Sequence, residues 1–104
     1  MAVGRAPVSR GEVYLVRLGP TRPCVVVSPD ELNHHLRTVI VAPVTTGGKA
    51  YPWRLTCQFH RRTGFVALDQ LRTVDTERLV RRLGALSSQT TAAVLAVLQE
   101  MFAP

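Results

Sequence analysis

Arg22-Pro23-Cys24-Val25-Val26-Val27-Ser28 and Val39-Ile40-Val41-Ala42-Pro43-Val44-Thr45-Thr46 are the two stretches on which the fold turns. Each is an apolar run of strand length rich in β-branched residues, bounded by turn formers. Pro23 has no amide proton, so it suits the start of a strand and not its middle. Cys24 to Ser28 is apolar almost throughout, as expected of a strand covered on both faces. The first run is entered by an arginine and the second is left by a threonine. If the two strands are antiparallel neighbours joined by residues 29–37, both residues lie at one end of the sheet. Pairing Ser28 with Thr38 places Arg22 opposite Val44, one position from Thr45. A shift of one residue sets Arg22 directly opposite Thr45, on the same face. The sequence leaves the choice of register open. A cation and a hydroxyl converging on one spot suit a phosphate.

Outward from these strands the chain continues in the same idiom. Gly11 to Leu18 alternates and reads as a first strand, closed by the turn Gly19-Pro20-Thr21. Asp30 is expected to cap one helical turn through Glu31, Leu32 and Asn33. Further strands are expected over residues 53–58, 64–68, 71–74 and 83–86. Ser87 or Ser88 then caps a helix over about Gln89 to Phe102. Many short strands followed by one helix read as a mainly β (α+β) domain, a small curled sheet or barrel with a helical appendage. The apolar residues of the helix cover more than the ~100° stripe of a one-sided helix, so its second side needs a partner. A homodimer is the simplest partner.

The 104 residues suit one domain, expected over 9–104 behind a loose leader at 1–8. Met1 to Ser9 lacks the apolar centre of a signal peptide. No apolar run approaches the ~18 residues of a membrane span. Cys24 and Cys57 are too few for a disulfide framework, and a cytoplasmic home follows most simply. Cys24 reads as a small buried hydrophobe. No Cys/His cluster has metal-ligand spacing, so neither a metal nor another cofactor is expected.

The formal charge is +6, from thirteen basic and seven acidic residues, and Lys49 is the only lysine. Arginine suits phosphate and base stacking, so nucleic acid is the natural partner. Lys49 and Arg54 flank the loop after Thr45 and are candidates to bind RNA, as is Thr21. Arg37, Arg61 and Arg62 could also track a backbone. Tyr51 or Trp53 could stack a base, although Trp53 is expected in the core. Arg78, Arg81 and Arg82 read as a solvated face.

Four segments together resemble the MazF/PemK-like toxin family. They are Arg10-Gly11-Glu12-Val13-Tyr14-Leu15-Val16, then Arg22 to Ser28, then Pro43-Val44-Thr45-Thr46-Gly47-Gly48, then Ala67-Leu68-Asp69-Gln70-Leu71-Arg72-Thr73-Val74-Asp75. The resemblance runs from about Ser9 to Ala103. It implies an SH3-like small β-barrel with a C-terminal helix, homodimeric, acting as the toxin of a type II toxin–antitoxin system. It implies a metal-independent endoribonuclease that cuts single-stranded RNA, held inactive by a MazE-like antitoxin. Operator DNA would be reached through the antitoxin complex. By position, Arg22 and Thr45 match the family's catalytic arginine and threonine. Asp69, Gln70 and Thr46 are candidates for catalysis or RNA contact.

Two departures stand out. The family's long loop before its arginine, which covers the RNA groove, shrinks here to Leu18-Gly19-Pro20-Thr21. Ala67 stands where some members place an arginine near the active site, so a mechanism using that arginine does not apply. The implied reaction is attack of the RNA 2′-OH on its own phosphorus, giving a 2′,3′-cyclic phosphate and a 5′-OH. Arg22 and Thr45 would hold the phosphate. A guanidinium is a poor base, which leaves Asp69 as the alternative. His34, His35 and His60 have suitable intrinsic pKa values, but they lie in connections or at a strand end. The rival readings are a nucleic-acid-binding barrel without catalysis and a gyrase-poisoning toxin of related fold. The second depends on a C-terminal tail unlike Met101-Phe102-Ala103-Pro104.

Overall fold

The computed structural model describes residues 7–59 and 61–104. Its strands are β1 (Glu12–Arg17), β2 (Thr21–Val26), β3 (Thr38–Thr45), β4 (Arg54–Phe59), β5 (Arg62–Ala67), β6 (Arg72–Asp75) and β7 (Leu79–Ala85). A short helix α1 (Asp30–His35) separates β2 from β3, and α2 (Ser88–Phe102) closes the described chain. The sheet runs β4-β5-β3-β2-β1-β7, with β6 also on β3. It curls into a barrel-like, unclosed shape built from antiparallel pairs. The leader expected at 1–8 lies, for residues 1–6, outside the described residues; Val8 is buried in a core cluster. His60 also lies outside them.

The alternation read in the sequence sorts the sheet into two cores. One face carries Val13, Val25, Val27, Ala42, Val44 and Val66, and α2 covers it through Val94, Val97 and Leu98. The other carries Tyr14, Val16, Cys24, Val26, Val39, Val41 and Val74 and fills the inside of the curl. Such burial, at roughly 25 cal/mol per Å² of apolar surface, is the main force holding the fold.

The β2–β3 register is the shifted one. Val26 faces Val41, Val25 faces Ala42 and Cys24 faces Pro43. Ser28 explains the shift. Its hydroxyl accepts from Ile40 N at 3.0 Å, while Ile40 O accepts from Val27 N at 2.9 Å and from Ser28 N at 3.4 Å. The side chain thus takes a ladder position, and Ser28 does not pair with Thr38. The same Ser28 hydroxyl and carbonyl engage the buried Asn33 of α1.

The cap of α1 differs from expectation. Pro29 occupies the N-cap position and makes no side-chain cap bond. Asp30 is the first helical residue, and its Oδ1 accepts instead from Arg10 N at 2.6 Å. At α2 the cap is Ser87, whose Oγ accepts from Thr90 N at 3.1 Å.

β5 and β6 follow one another along β3, but the register jumps between them. Val66 faces Val44, whereas Arg72 faces Val41. The extra residues form a 3-10 turn over Leu68–Gln70. Leu68 points into the core, while Asp69 and Gln70 are pushed out to solvent. β7 starts earlier than expected, at Leu79. Arg81 and Arg82 are exposed on it, Arg82 pairing with Glu12, and Arg78 Nη1 donates to Arg17 O at 3.2 Å.

Candidate active site

Carrying the β2–β3 register two residues beyond Cys24↔Pro43 brings Arg22 opposite Thr45. Opposed residues of an antiparallel pair share a face, with Cβ atoms about 4.5–5.5 Å apart. Thr45 faces Phe65 on its other side, Phe65 faces Thr56, and Ala67 faces Arg54. Because residues two apart on a strand share a face, Arg22, Thr45, Thr56 and Arg54 all belong to one surface. Cys24, Pro43 and Ala67 form its floor. Phe65 shares the face between Thr45 and Thr56.

Arg22 is half-buried in β2, opposite Val16 of β1. Thr45 is the last residue of β3, and its Oγ1 makes one long bond, 3.5 Å to Gly47 O. Its hydroxyl can therefore turn to a ligand at little cost. Thr46 and Lys49 are exposed in the loop beyond, and Thr21 is exposed opposite Arg17.

Asp69 is not an unpartnered base. Arg54 Nε donates to its Oδ1 and Nη2 to its Oδ2, each at 3.1 Å. That bidentate clasp holds the Asp69 carboxyl below the usual carboxylate range and raises the Arg54 pKa. Arg54 and Asp69, expected separately, are thus one unit. Gln70 is exposed beside them. Trp53 is not in the core: it is 38 % exposed and stacks on Tyr51. β4 begins only at Arg54, so Trp53 precedes the strand and escapes its alternation.

One cation escaped the sequence reading. Arg72 lies opposite Val41, on the same face as Cys24 and Arg22. Its Nη1 donates to Leu18 O at 3.2 Å, tying down the shortened β1–β2 turn. Burial pushes the Cys24 thiol up to about 11, while the charges of Arg22 and Arg72 pull it back. The thiol thus senses both guanidinium groups. The only signal was the Asp-Gln-Leu-Arg segment itself; the pairing of β6 with β3 was needed to aim the arginine.

His34 and His35 sit on α1, at the far end of β2 and β3 from Arg22 and Thr45. His34 Nε2 donates to Val8 O at 3.0 Å and His35 Nδ1 to Glu31 O at 2.7 Å. Topology removes both from the site.

The description "PemK-like, MazF-like toxin of type II toxin-antitoxin system" matches residues 9–102. The chain belongs to this toxin family. Among its relatives, the Endoribonuclease PemK of Escherichia coli is 36 % identical over 84 residues, spanning 68 % of this chain and 63 % of that protein. The Endoribonuclease MazF of Staphylococcus epidermidis is 34 % identical over 94 residues, spanning 77 % of this chain and 78 % of that one. Solved structures agree. An endoribonuclease in complex with its cognate antitoxin from Mycobacterial species superposes with a TM-score of 0.82 at 26 % identity, covering 89 % of this chain and 92 % of that chain. A MazE–MazF complex from Deinococcus radiodurans gives 0.81 at 25 %, covering 93 % and 97 %. This PemK/MazF-like chain has the short turn at Leu18–Thr21 that its sequence led one to expect, pinned by Arg72.

Proposed function

We propose that this PemK/MazF-like toxin is a metal-independent endoribonuclease that cleaves single-stranded RNA. The observation that supports the reading is the shifted β2–β3 register, whose continuation two residues past Cys24↔Pro43 brings Arg22 opposite Thr45. In the reaction, O2′ of the substrate bonds to its adjacent phosphorus and the P–O5′ bond breaks. The products are a 2′,3′-cyclic phosphate and a 5′-OH; one proton leaves O2′ and one is delivered to O5′. Arg22 donates two parallel hydrogen bonds to the phosphate oxygens, and Thr45 Oγ1 donates a third. Charge that builds on the phosphorane thus meets preorganised donors. Arg72 adds positive potential at the same mouth.

The protein acts as a homodimer, because α2 leaves its Met101–Phe102 end outside its own core. Its regulatory partner is a MazE-like antitoxin, as in the complexes of its structural neighbours, and operator DNA is reached through that complex. Its RNA substrate places it in the cytoplasm. Thr21, Thr46, Lys49, Arg54 and Gln70 line the approach of the RNA.

Digestion of diverse RNA with purified protein in excess chelator tests the proposal. Fragments ending in 2′,3′-cyclic phosphate are expected, and the Arg22→Ala and Thr45→Ala variants should retain RNA binding while losing cleavage. Intact RNA with wild-type protein, or wild-type rates in both variants, would refute it. Altered affinity with no cutting by any form would identify a binding barrel instead.

A further inference from the structure

The loop that follows Thr45 ends in an aromatic pair outside either core. Tyr51 and Trp53 stack with ring centroids 5.0 Å apart and planes 5° from parallel. Both remain open to solvent, at 42 % and 38 % exposure. The guanidinium carbon of Arg54 lies 5.7 Å from the centre of the Tyr51 ring.

The pair is held from several sides. Arg54 N donates to Tyr51 O at 2.9 Å, and Leu68 N donates to Trp53 O at 3.1 Å. Arg54 is itself clasped by Asp69. The loop closes onto the same group: a Cβ at Gly48 would lie 3.6 Å from Arg54 Nη1. In the same loop Thr45 Oγ1 donates to Gly47 O at 3.5 Å.

Two large rings held parallel in water sacrifice burial that a core would have given them. Exposed aromatic rings with an apolar face and a polar edge suit an interface with a flat ligand. Its chemistry narrows the occupant. Flat parallel rings extend naturally into a third flat ring, and unstacked nucleobases seek that surface on single-strand binders. Lys49 and Arg54 stand beside it, where the phosphates on either side of a captured base would pass. Arg54, which flanks the rings, lies on the same sheet face as Thr45.

We propose that Tyr51 and Trp53 form a nucleobase platform that captures one unstacked base of the strand whose phosphate Arg22 and Thr45 hold. Arg54, fixed by Asp69, is its cationic backing. This rests on the RNA reading above. Stacking is tolerant of base identity, so the platform sets where the strand lies and not which base occupies it. It supplies the hold on the strand that the shortened Leu18–Thr21 turn does not.

Trp53 is the only tryptophan of the chain, so selectively excited tryptophan fluorescence reports on the platform alone. The probe is an end-labelled, fully 2′-O-methylated RNA oligonucleotide of mixed sequence, which has no 2′-OH to attack. Labelled-strand anisotropy measures binding independently of Trp53. Binding is expected to quench Trp53 emission in step with the anisotropy. Tyr51→Ala, which keeps the reporter, should weaken Kd by roughly 5- to 100-fold, and on cleavable RNA it should raise KM more than it lowers kcat. Unchanged circular dichroism shows that the variant folds; Trp53→Leu read by anisotropy provides a second variant. If the strand binds while Trp53 emission stays constant and both variants bind as wild type, the platform is wrong and the RNA reading survives. If wild type neither binds nor cuts RNA, both fall. Quenching by an aromatic acidic peptide but not by the oligonucleotide would make the surface a protein-docking site and overturn the proposal.

Discussion

Gly64 is where a single atom matters most for the site. It lies opposite Cys57, and a Cβ there would sit 2.8 Å from Val44 Cγ1 and 2.9 Å from the carbonyl oxygen of Thr45. Only a hydrogen fits between β5 and the last turn of β3. Gly64→Ala should destabilise by about 1–3 kcal/mol through overpacking, measured by chemical denaturation. Because the displaced group is the Thr45 backbone, cleavage by the folded fraction should fall as well; a normal rate there would separate Thr45 from catalysis. Asp69 gives a second test. Its pKa is lowered in the fold by Arg54, so the pair stabilises above the ordinary carboxylate range. That contribution fades as pH falls through the lowered value. Wild type and Asp69→Asn should differ slightly in thermal stability at neutral pH, since exposed pairs contribute little, and converge in strong acid. In cleavage, the variant should lose far less than the roughly 10²–10⁴-fold of a missing general base. A loss of that size in kcat would assign Asp69 the proton.

Among the elements, α2 owes its start to one hydroxyl. Ser87 Oγ accepts from Thr90 N, and the Ser87 carbonyl accepts from Thr91 N at 2.9 Å. Ser87→Ala should cost about 1 kcal/mol, read as a lowered midpoint in thermal unfolding. The cap was legible because a serine directly precedes a long apolar helical run. α1 was less legible: its expected cap, Asp30, is drawn away to Arg10 N, a partner distant in sequence. Trp53 was misread for a related reason. The alternation Trp53, Leu55, Cys57 is real, but it holds only from the point where β4 begins to pair. Leu55 and Cys57 do join the core; Trp53 stands before the ladder and turns out to Tyr51.

At the scale of the molecule, the net charge of +6 means that RNA binding should be strongly salt-dependent. Each neutralised phosphate contributes roughly −0.7 to the slope of log K against log salt for a single strand. Lys49→Ala should reduce that slope by about one such step while leaving kcat nearly unchanged. An unaltered slope would take Lys49 off the RNA path. The exposed end of α2, where Phe102 is 72 % exposed, predicts self-association. Sedimentation should give twice the 11.5 kDa chain mass at micromolar concentration, and a monomer across that range would remove the homodimer.

Alternating and continuous apolar runs by themselves determined that β1, β2 and β3 form, and that Arg22 and Thr45 fall at the same end of the sheet. Ser87 or Ser88 before the apolar run marked where α2 starts, and four motifs in order pointed to the family. These are local properties: side-chain periodicity reports which face of a strand or helix is buried, and short polar residues report where backbone groups lack partners. Only the tertiary structure decided the rest. It set the β2–β3 register, because the Ser28 hydroxyl displaces a backbone acceptor. It joined Arg54 to Asp69 across the β4–β5 pair, aimed Arg72 at the turn after β1, and left Trp53 outside the core. Each of these depends on which strand lies alongside, and neighbours far apart in the chain leave no period in the sequence to read.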